Sequence, residues 1–142
     1  MQTTSWRYPA VFDREADGEI DVRFPDIPEV LTGAATLDEA RALAADALDE
    51  AVLAYLADGR PVPAPSPVRG GQEAVALDPL TAGRAAVQLR MRALGISKVA
   101  LAERMHKDEK VVRRILDGRG AVQMANVTQA LRALGAEPVL SV

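Results

Sequence analysis

Asp13, Asp17, Asp21 and Asp26 stand close together early in the chain. Carboxylates near strands are what a metal-dependent nuclease needs, because together they hold the ion that activates water. Their spacing points to a plainer role. Asp13 and Asp17 flank a turn centred on Asp17-Gly18, and Asp21 occupies a polar position of an alternating segment, so a solvated sheet face is the ordinary reading. Ser5 lies in a terminal segment and Ser66 in a proline-rich stretch, neither with a base nearby. His106 is the one histidine of the 142 residues; it lacks partner ligands and reads as an exposed turn residue. Cysteine is absent, which excludes thiol catalysis, disulfide scaffolds and cysteine-based zinc fingers. No catalytic set, metal site or cofactor is expected, and the chain does not read as an enzyme.

Charge is more informative than any single residue. The net charge is −3, but residues 1–66 carry five Arg and no Lys against thirteen Asp or Glu, a net of −8. Residues 67–142 carry twelve Lys or Arg against seven acids, a net of +5. Such asymmetry suggests a different partner for each half. Prolines 61, 63, 65 and 67 with Gly59, Gly70 and Gly71 mark an extended or turning connection over 59–72. The expected domains are 1–77 and 78–142.

The elements that must position these charges follow from periodicity. Trp6, Tyr8, Ala10 and Phe12 alternate with Arg7, Pro9, Val11 and Asp13, and Ile20, Val22 and Phe24 with Asp21 and Arg23, giving two strands of a hairpin. Pro9 has no ladder donor and belongs at an edge or a strand start. Pro25-Asp26-Ile27-Pro28 breaks the chain, and Val30 to Gly33 reads as a third strand. Thr36-Leu37-Asp38-Glu39 is a capping box opening a helix with Ala40, Leu43, Ala44, Ala47, Leu48, Ala51, Val52 and Tyr55 on one stripe. Ala74 to Leu77 then returns as a fourth strand, parallel to an earlier one. The fold class is α+β, with a β-β-β-α-β half followed by an all-α half.

The second half reads as four short helices: from Asp78-Pro79 to Leu94, from Ser97 to Met105, from Asp108 to about Asp117, and from about Ala125 to Leu134. Gly118 is expected to end the third. Met91, Met105 and Met124 read as core filler, and the apolar tail 137–142 as a short strand that pads the domain or pairs with a symmetry mate. The segment from Leu101-Ala102 through Asp108-Glu109-Lys110 to Ile115-Leu116-Asp117-Gly118 resembles the Xre/Cro-type helix-turn-helix, with its pattern L-A-x-x-L-G-V-S-x-x-x-V-S-x-I-x-x-G. The resemblance implies a core of Leu101, Met105, Val112 and Ile115, with Ala102 as the small crossing residue. It implies a recognition helix in the DNA major groove presenting Glu109, Lys110, Arg113 and Arg114. Lys98 falls at the phosphate-contacting position in front of the second helix, and Lys107, Arg119 and Arg104 add charge nearby. His106 replaces the turn glycine, which calls for a strained backbone or a different turn, and Lys107 replaces a buried valine.

The order of the two halves resembles the HicB family of antitoxins. The resemblance rests on Tyr8-Pro9-Ala10-Val11-Phe12, Asp17-Gly18, Val22-Arg23-Phe24-Pro25-Asp26-Ile27-Pro28, Thr36-Leu37-Asp38-Glu39-Ala40 and the helix-turn-helix pattern. It implies a partial RNase H-like first domain without nuclease activity. It implies as partners a HicA-type toxin, a small basic ribonuclease, and the operator DNA of the chain's own operon, bound as a homodimer or higher homo-oligomer. Tyr8, Phe12, Asp21 and Arg23 are candidate toxin contacts. The sequence has no membrane span and no secretory pattern at its start, so a cytoplasmic protein is expected. The alternative is a stand-alone helix-turn-helix repressor whose acidic domain senses a small molecule or oligomerises.

Overall fold

The computed structural model describes residues 3–142. Its strands are β1 (Arg7–Arg14), β2 (Ile20–Phe24), β3 (Ile27–Ala34) and β4 (Glu73–Ala76), with α1 (Leu37–Ala57) before β4. The helices α2 (Pro79–Leu94), α3 (Lys98–Met105), α4 (Glu109–Leu116) and α5 (Met124–Ala133) follow. One compact unit runs to Ala51 and resumes over Pro63–Leu77; the other comprises Val52–Val62 and Asp78–Val142. No helix among the described residues is long and apolar enough to cross a membrane.

The first unit is a four-stranded antiparallel sheet in the order β3-β2-β1-β4. The alternation seen in the sequence sets its faces. Ile20, Val22 and Phe24 are buried with Tyr8 and Ala10, and Ala40, Ala44 and Leu48 of α1 are buried with them. Burying a side chain the size of Leu48 contributes about 1.5–3 kcal/mol. Leu43, expected on the same stripe, is instead exposed. The helix starts where the capping box places it, with the Glu39 amide donating to Thr36 Oγ1 at 3.2 Å.

Three features of the sheet bear on what the sequence leads one to expect. β4 is antiparallel to β1, not parallel to any strand, with Tyr8 opposite Val75. A helical crossover alone would have delivered a parallel strand, but the extended stretch after α1 carries the chain back before β4 begins. That stretch is tied down: Tyr8 Oη donates to the Pro63 carbonyl at 2.6 Å, and the Ser66 amide and hydroxyl donate to Asp26 at 2.8 and 2.6 Å. Second, β3 begins earlier than expected because Phe24 pairs with Ile27 across a tight turn; Pro28 fits inside β3 because that strand is an edge. Third, Pro9 lies in a strand with neighbours on both sides. However, β4 pairs only with Arg7–Ala10 and β2 only with Val11–Arg14, so the strand is locally an edge at Pro9.

The second unit is helical. Val87, Met91, Leu101, Ala102, Met105, Val112, Ile115, Val127, Ala130, Leu131 and Leu134 form its core. Each helix starts or stops on local chemistry. Asp78 Oδ1 accepts from the Leu80 amide, Ser97 Oγ from the Ala100 amide and Asp108 Oδ1 from the Lys110 amide. Gly95 closes α2 in the left-handed conformation, φ 64°. Met124, expected in the core, is exposed at the start of α5, and the tail 137–142 forms no strand.

Candidate functional site

The helical unit gathers its cations around α3 and α4. Residues 104–119 include Arg104, Lys107, Lys110, Arg113, Arg114 and Arg119 against Asp108, Glu109 and Asp117. Val112 and Ile115, three apart, turn one face of α4 into the core; Lys110, Arg113 and Arg114 on its other face are exposed. Glu109 is half-buried and holds Arg113 Nη2 at 3.1 Å, one turn along the same helix. Lys98, Arg113 and Arg119 come together on the walls of a cleft of about 800 Å³ with apolar Leu56, Met91 and Ile96. Lys107 is exposed in the turn, at the position where the resembled pattern has a buried valine.

The turn between α3 and α4 has a strained residue at its centre. His106 has φ 54° and ψ 43°, the left-handed conformation. Its amide donates to the Glu103 carbonyl at 3.2 Å, and the Lys107 amide donates to the Ala102 carbonyl at 3.0 Å. These two bonds satisfy the last carbonyls of α3 in the way a C-terminal glycine would. The chain thus keeps the turn geometry and accepts the strain.

Two buried polar residues of α2 were not identified from the sequence, and the first of them positions α4. Arg84 of α2 is 4% exposed, and its guanidinium donates to three carbonyls: Ile115 (3.0 Å), Arg114 (3.1 Å) and Gly120 (2.9 Å). A buried cation at the negative end of a helix satisfies carbonyls the helix cannot. The signal was legible, because Arg84 falls on the buried stripe of Thr81, Ala85, Gln88 and Met91. Gln88 similarly accepts from the Val62 amide and donates to the Arg60 carbonyl, both at 2.8 Å. Gly118 is not a left-handed cap. It is required by space, since a Cβ there would collide with the Leu53 carbonyl.

In the sheet unit the candidate carboxylates each have a structural partner. Asp13 pairs with Arg23 at 3.7 Å, Asp17 Oδ1 accepts from the Glu19 amide at 2.9 Å, and Asp26 holds Ser66. Asp21 hydrogen-bonds Glu15 and, together with its charge, raises the Glu15 carboxyl above its ordinary pKa. Among the described residues, no group of three or more His, Cys, Asp or Glu is placed to hold a metal ion. Of the candidate contact residues, Arg23 is exposed, and Phe12 and Asp21 are partly so. Tyr8 is wholly buried, so its ring fills the core and its hydroxyl holds Pro63.

Residues 7–86 match the family described as HicB-like antitoxin of bacterial toxin-antitoxin systems. The chain belongs to the HicB-like antitoxin family. Among its relatives is Antitoxin HicB 1 of Photorhabdus laumondii, 33% identical over 96% of this chain and 86% of that protein. Antitoxin HicB of Escherichia coli K12 is 30% identical over 92% of this chain and 95% of that protein. Antitoxin HicB of Pseudomonas fluorescens is 32% identical over 90% and 88% respectively. The family match covers the sheet and the opening of α2, while the relatives extend across the basic helices as well.

Proposed function

We propose that this HicB-like chain neutralises a HicA-type ribonuclease by binding it through the acidic sheet unit and represses its own operon through the basic helical unit. Residues 1–77, which carry the sheet unit, are read as a partial RNase H-like domain that acts by binding, without turnover. Residues 78–142, which carry α2 to α5, are read as a helix-turn-helix domain with α4 as the recognition helix. The observation that carries the DNA reading is the exposed row Lys110, Arg113 and Arg114 on a helix whose opposite face is anchored by Val112, Ile115 and the Arg84 clamp. Lys98, Lys107 and Arg119 supply phosphate contacts around it, and Glu109 supplies an acceptor suited to cytosine N4. A homodimer places two such helices in successive major grooves, so the operator half-sites lie about 34–36 Å apart or at a multiple.

An acidic surface facing a basic RNA-binding toxin speeds encounter and covers the cationic RNA site. The test is coexpression with a HicA-type protein, which this reading predicts to be encoded beside the chain. The expected result is restored growth and intact RNA, together with repression of a reporter driven by the operon's promoter. RNA cleavage undiminished by the full chain overturns the antitoxin mechanism. An unaffected reporter overturns autorepression.

A further inference from the structure

The free edges of the sheet are β3 and β4, and they are not equivalent. β4 is four residues long, whereas β3 is eight. Exposed edge strands are normally blunted, because unpaired amides and carbonyls recruit other strands. β3 is guarded only at its start, by Pro28 and Glu29. Beyond them Leu31 is 76% exposed in the middle of the strand. Beside this edge lies a groove of about 310 Å³, walled by Glu29, Val30 and Leu31 of β3 and by Ala47, Glu50 and Ala51 of α1. The two alanines leave room there. The volume is at the lower end for small-molecule sites, enough for one long side chain but not a cofactor. Its polar groups are carboxylates of a single sign.

We propose that the β3 edge is the docking site for an extended cationic segment of a partner protein. The segment's backbone pairs with β3 beyond Pro28, an aliphatic residue covers Leu31, and a Lys or Arg enters the groove between Glu29 and Glu50. This is strand addition, in which main-chain bonds give affinity and the groove gives specificity. Charge selects the occupant. A second copy would bring its own Glu29 and Glu50 against these, and like charges at close quarters suppress a partner. A cationic strand satisfies both edge and groove. The inference deepens the proposed toxin reading by naming the surface, and it rests on that reading.

The experiment measures binding of the full chain to a HicA-type protein, the neighbour this reading predicts, carrying an inactivated catalytic residue. Leu31→Lys and Glu50→Lys lie on exposed positions that the fold does not need, and each is expected to weaken binding about tenfold or more. Glu19→Lys makes the same charge change in the β1–β2 turn, outside the groove, and is expected to stay within about threefold. Amide exchange in the complex is expected to slow at Val30–Thr32 and not at Glu73–Ala76. If the wild-type chain does not bind, the toxin reading itself falls. If it binds and the Leu31 and Glu50 variants bind equally well, or Glu19→Lys weakens binding as much, the toxin reading stands and the β3 site is overturned. A concentration-dependent dimer abolished by Leu31→Lys assigns the edge to a second copy and also overturns the proposal.

Discussion

At the scale of single residues, His106 shows what the turn tolerates. A side chain in the left-handed region costs roughly 1 kcal/mol relative to glycine, and the two hydrogen bonds it permits keep it there. His106→Gly is therefore expected to raise stability by about 0.5–1 kcal/mol, less than the full strain because glycine also frees the unfolded chain. Urea denaturation of the two proteins checks it, and a destabilised variant means the imidazole makes a contact worth more than the strain. The Glu15–Asp21 pair works in the opposite sense. Its hydrogen bond and repulsion raise the Glu15 pKa in the folded state, so the native protein holds a proton the unfolded chain releases. Stability from this group is present below the ordinary value of 4.5 and is lost as pH rises through the raised one. Asp21→Asn is expected to stabilise the protein at neutral pH, with the gain vanishing in acid and shrinking in high salt. A pH-independent effect means the pair is not its source.

At the scale of elements, the orientation of α4 depends on groups outside it. Arg84 reaches the carbonyls of Arg114, Ile115 and Gly120, so α4 is held from the end opposite its Asp108 cap. Arg84→Met leaves three carbonyls short of a donor and is expected to cost about 2–4 kcal/mol. Arg84→Lys retains the charge but not the three-way fork, so it is expected to fold while binding operator DNA with reduced discrimination among sequences. Full discrimination in the lysine variant means that α4 is fixed by its apolar face alone. This clamp also marks where the sequence was legible and where it was not. Alternation gave β1 and β2, and capping residues gave the starts of α1 to α4, because those signals are local. The direction of β4 was not legible, because it depends on where Tyr8 and Asp26 fasten residues 63–66, contacts forty or more positions apart in sequence. Gly118 shows the same limit. Its place after α4 suggested a terminator, whereas the Leu53 carbonyl is what excludes a side chain.

At the scale of the whole molecule, the division of charge between a −8 half and a +5 half makes salt a selective probe. If Lys98, Lys107, Lys110, Arg113, Arg114 and Arg119 touch phosphates, each contact adds about 0.9 to the slope of log affinity against log salt. About six contacts lower operator affinity by roughly 10³ between 50 and 200 mM salt. Lys110→Ala and Arg113→Ala are each expected to weaken binding and flatten that slope by about one unit. The Arg113 effect is expected to be the larger of the two, because removal of its side chain also leaves the Glu109 carboxylate of their 3.1 Å ion pair uncompensated beside the phosphates. Salt acts differently on the acidic half, where long-range attraction sets the rate of encounter more than the lifetime of the complex. Toxin association is expected to slow several-fold over the same salt range with dissociation nearly constant, and neither α4 variant should alter it. Stopped-flow association and salt-titrated DNA binding on the same full-length variants separate the two halves. A salt-insensitive operator complex, or a toxin on-rate lowered by Arg113→Ala, means that the charge division does not correspond to a division of partners.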